Sequence, residues 1–276
     1  MSATTNERIG RVFAVIDPER FVQPAFERAE WIAARNGAVM HLFCCLGEEG
    51  VSADDPAARF AVERATRWLE RLTSEAGEYE VSTELQVEWH PDWRKRIAEA
   101  ASEAGADLII KTVSRHGGFA RQLKTTADWT LLRKARCPVL LIDPERPPRP
   151  GKVLAAVKID PDDEYAILNQ AVVEMSHRIA AALGAELDAV TAYKGEQIYF
   201  DRQRFADSCR LPRNRVHAVE GSAHKAIAAT AKELSSDILV IGSANRHLEG
   251  SNMIIGDTAQ RIIDAVDTDL VVIPNA

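Results

Sequence analysis

The sequence predicts an α/β fold made of two tandem, doubly wound parallel-sheet domains. Three observations carry this expectation. Apolar runs of strand length alternate with stretches of helical periodicity, the pattern of a parallel sheet covered on both faces. The series of runs begins again past the middle of the 276-residue chain, which has the length of one or two domains. A proline-rich segment separates the two series.

In the first series, Val12–Ile16, Val39–Phe43, Leu85–Trp89, Leu108–Ile110 and Val139–Ile142 read as buried strands. Helical stretches lie between them. From Pro24 to Arg35, Phe26, Ala29, Ile32 and Ala33 share one face, with proline near the start and Gly37 just past the end. Asp54 to Ala76 repeats apolar residues at Ala57, Phe60, Ala61, Ala65, Trp68, Leu69 and Leu72. Trp93 to Ala104 and Asp128 to Ala135 supply two further helices.

Residues 144–151 then hold four prolines, which rule out a central helix or strand and mark a linker. The expected boundaries are therefore 1–143, the linker, and 152–276. Beyond the linker, Val153–Val157 repeats Val12–Ile16, the glycine cap Gly184 repeats Gly37, Asp237 repeats Asp107, and Leu270–Ile273 repeats Val139–Ile142. The offsets are 141, 147, 130 and 131 residues. Loop insertions produce that drift, and so long a period means duplicated domains rather than a solenoid. Each half takes about five strands, with ligands expected at the strands' carboxyl ends.

Composition narrows the function. Apolar residues make up 46% and charged residues 27%, as in a globular protein able to bury a core without staples. A net charge of −7 argues against a dedicated nucleic-acid binder, and the basic clusters at Arg94–Arg96 and Arg133–Lys134 read as solvated helix faces. No membrane-length apolar run occurs, the start MSATTNERIG lacks an apolar signal core, and a cytoplasmic location is expected. Cys44, Cys45, Cys137 and Cys209 form neither a C-x-x-C pair nor a zinc spacing, so free thiols are expected.

Two stretches of the second half carry a family resemblance: Ile241-Gly242-Ser243-Ala244-Asn245, and Ile255 to Ile263 followed by Asp269 to Pro274. They resemble the signature of the universal stress proteins, where two glycine turns hold the phosphates of ATP. In the first half, Ala127 to Lys134 with Cys137-Pro138-Val139, Val15 to Pro18, and Val87 to His90 are similar to the tandem two-domain E type of that family. The resemblance covers both halves. It implies the universal stress protein fold, which is adenine nucleotide alpha hydrolase-like and Rossmann-like. It also implies a stress-response role and an internal pseudo-dimer of the two halves, with contact between the strands Val139–Ile142 and Leu270–Ile273.

The family's nucleotide motif is carried over in part. In that motif glycines let backbone N–H groups approach phosphate, and a helix amino terminus favours the negative charge. Gly242 and Gly256 stand in place, with Ser243 after the first. Asn245 replaces the second glycine, ten residues separate it from Gly256, and Asp257 takes the serine or threonine position with Thr258 one residue late. In the first half Thr112 and Arg115 take the glycine positions, and Thr125 and Thr126 the final pair, a degenerate site. The adenine-side aspartate is Asp17 in the first half, whereas the second has Lys158, with Asp160 two residues on. ATP in the second half, with Mg only alongside ATP, is the ligand this implies. Tight turns without a ligand are the plainer reading of both glycines.

Other chemistry finds little support. No G-x-S-x-G elbow, Walker loop or G-x-G-x-x-G follows a strand. His90, between Trp89 and Trp93, reads as packing and turn; His116 and His247 follow arginines in loops; His217 and His224 lack metal-ligand companions. The expectation is a non-enzymatic binding or adaptor module with a protein partner of unknown identity and no catalytic residues. Two rivals remain: an ATP-hydrolysing enzyme with Asp257 or Asp160 as general base, and a binder of apolar ligands such as lipids.

Overall fold

A computed structural model describes residues 8–113, 126–146, 150–159, 165–193, 201–243, 246–247, 253–254 and 256–275. These residues fall into two compact α/β units. Arg115, Thr125, Asp160, Asn245 and His116 lie outside the described residues.

In unit 1, β1 (Arg11–Val15), α1 (Pro24–Asn36), β2 (Val39–Leu46), α2 (Pro56–Ala76), β3 (Thr83–Trp89), α3 (Trp93–Glu103), β4 (Leu108–Thr112), α4 (Thr126–Lys134) and β5 (Val139–Ile142) follow in order. All strands are parallel, in the spatial order β3-β2-β1-β4-β5. Unit 2 repeats the plan. It holds β6 (Lys152–Ala156), α5 (Ala166–Leu183), β7 (Glu186–Tyr193), α6 (Arg202–Cys209), β8 (Val216–Glu220), α7 (Ala223–Glu233), β9 (Ile238–Ser243), α8 (Asp257–Ala265) and β12 (Asp269–Pro274). Its parallel order is β8-β7-β6-β9-β12. Between β9 and α8, β10 (Arg246–His247) pairs antiparallel with β11 (Met253–Ile254), a ribbon too short to show in the sequence periodicity.

Local chemistry sets these elements. The chain leaves α1 at Gly37 with φ 64° and α5 at Gly184 with φ 63°, a left-handed conformation that side chains resist. Asp55 caps α2 by accepting the Ala57 N–H at 2.7 Å, with Pro56 at the first helical position. The central strands are buried and mostly apolar: β4, β5, β9 and β12 have no exposed residue.

The repeated aspartates sit at the amino ends of the strands. Asp107 Oδ2 accepts the N–H groups of Gly10 and Arg11, both at 2.8 Å. Asp237 Oδ2 accepts those of Gly151 at 2.7 Å and Lys152 at 3.0 Å. Each pins the first strand of its unit to the fourth, far from the carboxyl ends where ligands bind in this fold. Some boundaries move from the sequence reading. Strand β2 runs on through Cys44 and Cys45 to Leu46, and α4 opens at Thr126 rather than Asp128. Among the described residues no helix is long and apolar enough to cross a membrane.

Candidate functional site

In each unit the chain leaves the first strand toward one side of the sheet and later returns to the other. The crevice at the carboxyl ends of β1 and β4, and of β6 and β9, is the topological switch point. The two crevices are built differently.

In unit 1 the crevice is bridged by the protein itself. The Arg20 guanidinium donates to the Val113 carbonyl at 2.7 Å, just past β4, and its Nε lies 3.3 Å from Asp17 Oδ2, just past β1. The other Asp17 oxygen accepts the Glu19 N–H at 3.0 Å. Below this bridge, the buried Gln23 amide donates to the carbonyls of Asp17, at 2.6 Å, and Arg20, at 2.8 Å. The aspartate that the family resemblance places beside adenine is therefore already engaged by a turn and a guanidinium.

A second feature of unit 1 belongs to no sequence motif. Lys111, near the end of β4, places its ammonium 2.7 Å from Asp128 Oδ1 in the first turn of α4, with both side chains buried. The Lys111 ammonium also donates to the Thr112 carbonyl at 3.1 Å. Such a pair is tolerated inside a protein only when each charge has its partner. Unit 2 carries Ile241 and Ala259 at the equivalent strand and helix positions, so its floor is apolar. Thr112 is buried at the end of β4, and Thr126 opens α4.

In unit 2 no arginine bridges the described part of the crevice. Past β6, Lys158 is exposed, and its ammonium sits 3.6 Å from the centroid of the Tyr165 ring, a cation–π contact. Asn169 of α5 holds the Lys158 backbone from both sides: its Oδ1 accepts the Lys158 N–H at 3.1 Å and its Nδ2 donates to the Lys158 carbonyl.

Gly242 and Ser243 are not in a turn. They continue β9, paired with Ile273 and Pro274 of β12. A side chain on Gly242 would stand 2.7 Å from Cγ of Leu168 on α5, so packing explains this glycine. Ser243 is fully buried. Gly256 differs. It is the N-cap of α8 with φ −56° and ψ 141°, values open to any residue, and no side chain caps the helix. Among the described residues, no side chain meets the first-turn N–H groups of α8, which a helix leaves without an intrahelical acceptor. Asp257 and Thr258 are exposed on that turn.

The remaining candidates resolve into structure. His90 Nδ1 accepts the Asp92 N–H at 3.1 Å, and a side chain on Gly47 would stand 1.9 Å from the His90 carbonyl oxygen, so His90 forms part of a tight loop crossing. Beside that crossing, Gly47, Glu49, Pro91, Asp92, Trp93 and Arg94 line an open cavity of about 550 Å³. His217 Nε2 lies 3.0 Å from Asp188 Oδ1. All four cysteines are free, and burial pushes each thiol up, Cys44, Cys45 and Cys137 to about 12 and Cys209 to about 11. Among the described residues no group of three histidines, cysteines or carboxylates is placed to hold a metal.

Comparison with known proteins agrees with this architecture. A family model described as the universal stress protein family matches residues 9–143 and again residues 150–274. The chain is 26% identical over 294 residues to universal stress protein E of Escherichia coli strain K12, covering 95% of this chain and 93% of that protein. It is 25% identical over 296 residues to universal stress protein E of Photorhabdus laumondii, covering 95% and 94%. Among solved structures, a functionally unknown protein from Pseudomonas aeruginosa PAO1 aligns with a TM-score of 0.78 at 28% identity, over 97% of this chain and 93% of that one. A universal stress protein from Archaeoglobus fulgidus DSM 4304 shares the fold at 16% identity, with a TM-score of 0.73 over 96% and 98%.

Proposed function

This chain belongs to the universal stress protein family, with two tandem family domains, and on that premise we propose that it serves the stress response as a non-enzymatic, cytoplasmic binding and adaptor module whose second unit takes ATP. The observation that carries this reading is the asymmetry of the two switch points. Unit 1 is bridged by Arg20 between Asp17 and Val113. Unit 2 presents, across its described crevice, a helix amino terminus without a side-chain cap.

Phosphate suits that terminus, because first-turn N–H groups and the helix dipole both favour negative charge. Gly256 keeps the approach free of a side chain, and Thr258 adds a hydroxyl. Asp257 would repel a bare triphosphate, so the nucleotide of this reading arrives with Mg²⁺, to which the Asp257 carboxylate is a fitting oxygen ligand. Lys158 and Asp160 belong to the adenine end. Gly242 and Ser243 form the wall behind. A ligand bound there acts on a protein partner only as far as it favours one conformation of the module over another.

Hydrolysis would require a general base held against the attacking water. Asp257 is exposed and no described side chain orients it, which favours binding over turnover. A second reading, an apolar ligand at the same mouth, is favoured by Ile159 and Ile167, which flank it with 44% and 81% of their surface exposed.

Native mass spectrometry of the full chain with Mg-ATP, beside Gly256→Asp, tests the proposal. Aspartate is a favoured N-cap, so the variant should fold as well as the parent while placing a charge against the phosphates. One ATP per parent chain, lost in the variant, is the expected result. No nucleotide at millimolar Mg-ATP would overturn it, and a co-purified apolar mass would then favour the second reading.

A further inference from the structure

We infer that the outer margins of β2 and β7 are two recognition surfaces of different polar make-up, one centred on His41 and the other on the carboxylates Glu186 and Asp188, each fitted to its own third strand, and that they keep the edge strands of the duplicated units from being exchanged during folding.

The two units place polar residues at matching points of the same face. Register defines the matches. Arg11 lies opposite Val39 in unit 1, and Lys152 opposite Glu186 in unit 2. Two residues further along the second strand stand His41 and Asp188. On the third strand, Gln86 lies opposite Phe43 and His217 opposite Val190, so Glu84 corresponds to Arg215, the residue just before β8.

In unit 1 the centre is the imidazole of His41, and the third strand carries the carboxylate of Glu84. His41 Nδ1 lies 3.2 Å from Glu84 Oε2 and Nε2 lies 2.8 Å from Gln86 Oε1. Glu84 also pairs with Arg11. In unit 2 the second and third strands invert this arrangement, while the first strand keeps a cation, Lys152 in the place of Arg11. Asp188, 7% exposed, lies 3.1 Å from Arg215 and 3.0 Å from His217, and Arg215 also meets Glu186 at 2.9 Å.

The apolar pattern cannot make this choice. Both third strands are short parallel edge strands in the same place of the same topology. They are tethered on one chain, so each meets the wrong sheet at high effective concentration, and misassembly between like domains is a known failure of tandem proteins. A β8 strand laid against β2 would set Arg215 and His217 beside His41 and Arg11, with no carboxylate among them. A β3 strand laid against β7 would set Glu84 beside Asp188 and Glu186, three carboxylates gathered around Lys152. Like charges facing across strands are unfavourable, and specificity built from repulsion of the wrong partner is the general form of the device.

The test exchanges the code in the full chain. Val39→Glu, His41→Asp, Glu84→Arg and Gln86→His give both units the unit 2 code. Adding Glu186→Val, Asp188→His, Arg215→Glu and His217→Gln gives each unit the other's code, so the two differ again. We expect the first set to lower the yield of native protein refolded from urea by roughly twofold or more, and the full exchange to recover it. Failure of the first set to fold at all, with recovery by the second, supports the same conclusion. An unchanged yield when the code is duplicated, or no recovery when it is exchanged, would overturn the inference.

Discussion

The Arg20 guanidinium donates a 2.7 Å hydrogen bond to the carbonyl of Val113, joining the loop after β1 to the end of β4 across the switch point of unit 1. The same side chain holds Asp17 at 3.3 Å. Arg20 is 22% exposed, so water takes over part of what is lost on its removal. Arg20→Ala should therefore lower stability by about 1 kcal/mol, below the range for a fully buried charged hydrogen bond. Urea unfolding would measure the loss, and the Val113 and Asp17 backbone signals should shift while those of α8 stay in place.

The Lys111–Asp128 pair predicts a larger effect with a specific cure. Asp128 has no exposed surface and Lys111 very little, so Lys111→Ile or Asp128→Ala alone strands a buried charge and should cost about 3–5 kcal/mol. Changing both to the unit 2 residues, Lys111→Ile with Asp128→Ala, removes the charges together and should recover most of that loss. Thermal melts of the two single variants and the double variant form the required cycle.

Two glycines of the motif should separate cleanly. Gly242→Ala drives a methyl into Leu168 and should cost about 1–3 kcal/mol, the usual range for overpacking. Gly256→Asp adds a favoured cap to α8 and should leave stability unchanged or raise it by about a few tenths of a kcal/mol. Urea midpoints of both variants would show whether the first glycine packs and the second does not.

The thiols predict chemical silence at neutral pH. With Cys44, Cys45 and Cys137 pushed up to about 12 and Cys209 to about 11 by burial, thiolate is scarce at pH 8. Ellman's reagent should label the native chain far more slowly than the urea-unfolded chain. The sign also fixes a pH trend. Between the ordinary thiol value near 8.5 and about 12 the folded state holds more protons than the unfolded one. These groups therefore stabilise the fold fully below about pH 8.5, and that contribution falls as pH rises toward 12.

The architecture was legible in the sequence because it rests on repeated local signals. Apolar runs, the caps at Gly37 and Gly184 and the pair Asp107 and Asp237 mark a duplicated α/β plan, and the family comparison bears out the tandem domains. The site was less legible, because residue type does not tell packing from binding. Gly242 has the type a phosphate turn needs, yet it lies in β9 against Leu168. Arg20 carries no motif and acts through a carbonyl 93 residues away in the chain. Lys111 and Asp128 each look like a surface charge, and their burial follows from the register of β4 and the start of α4. The ribbon of β10 and β11 has two residues a side, too few for a period.

The central claim is that a nucleotide binds at the switch point of unit 2 while that of unit 1 stays closed by Arg20. Amide NMR of the full chain titrated with Mg-ATP tests it most directly. The account predicts saturable shifts at Gly256–Ala259 and Lys158, none at Asp17, Arg20 or Val113, and loss of the response in Gly256→Asp. Shifts centred on Asp17 and Val113, or none in either unit at millimolar Mg-ATP, would contradict it.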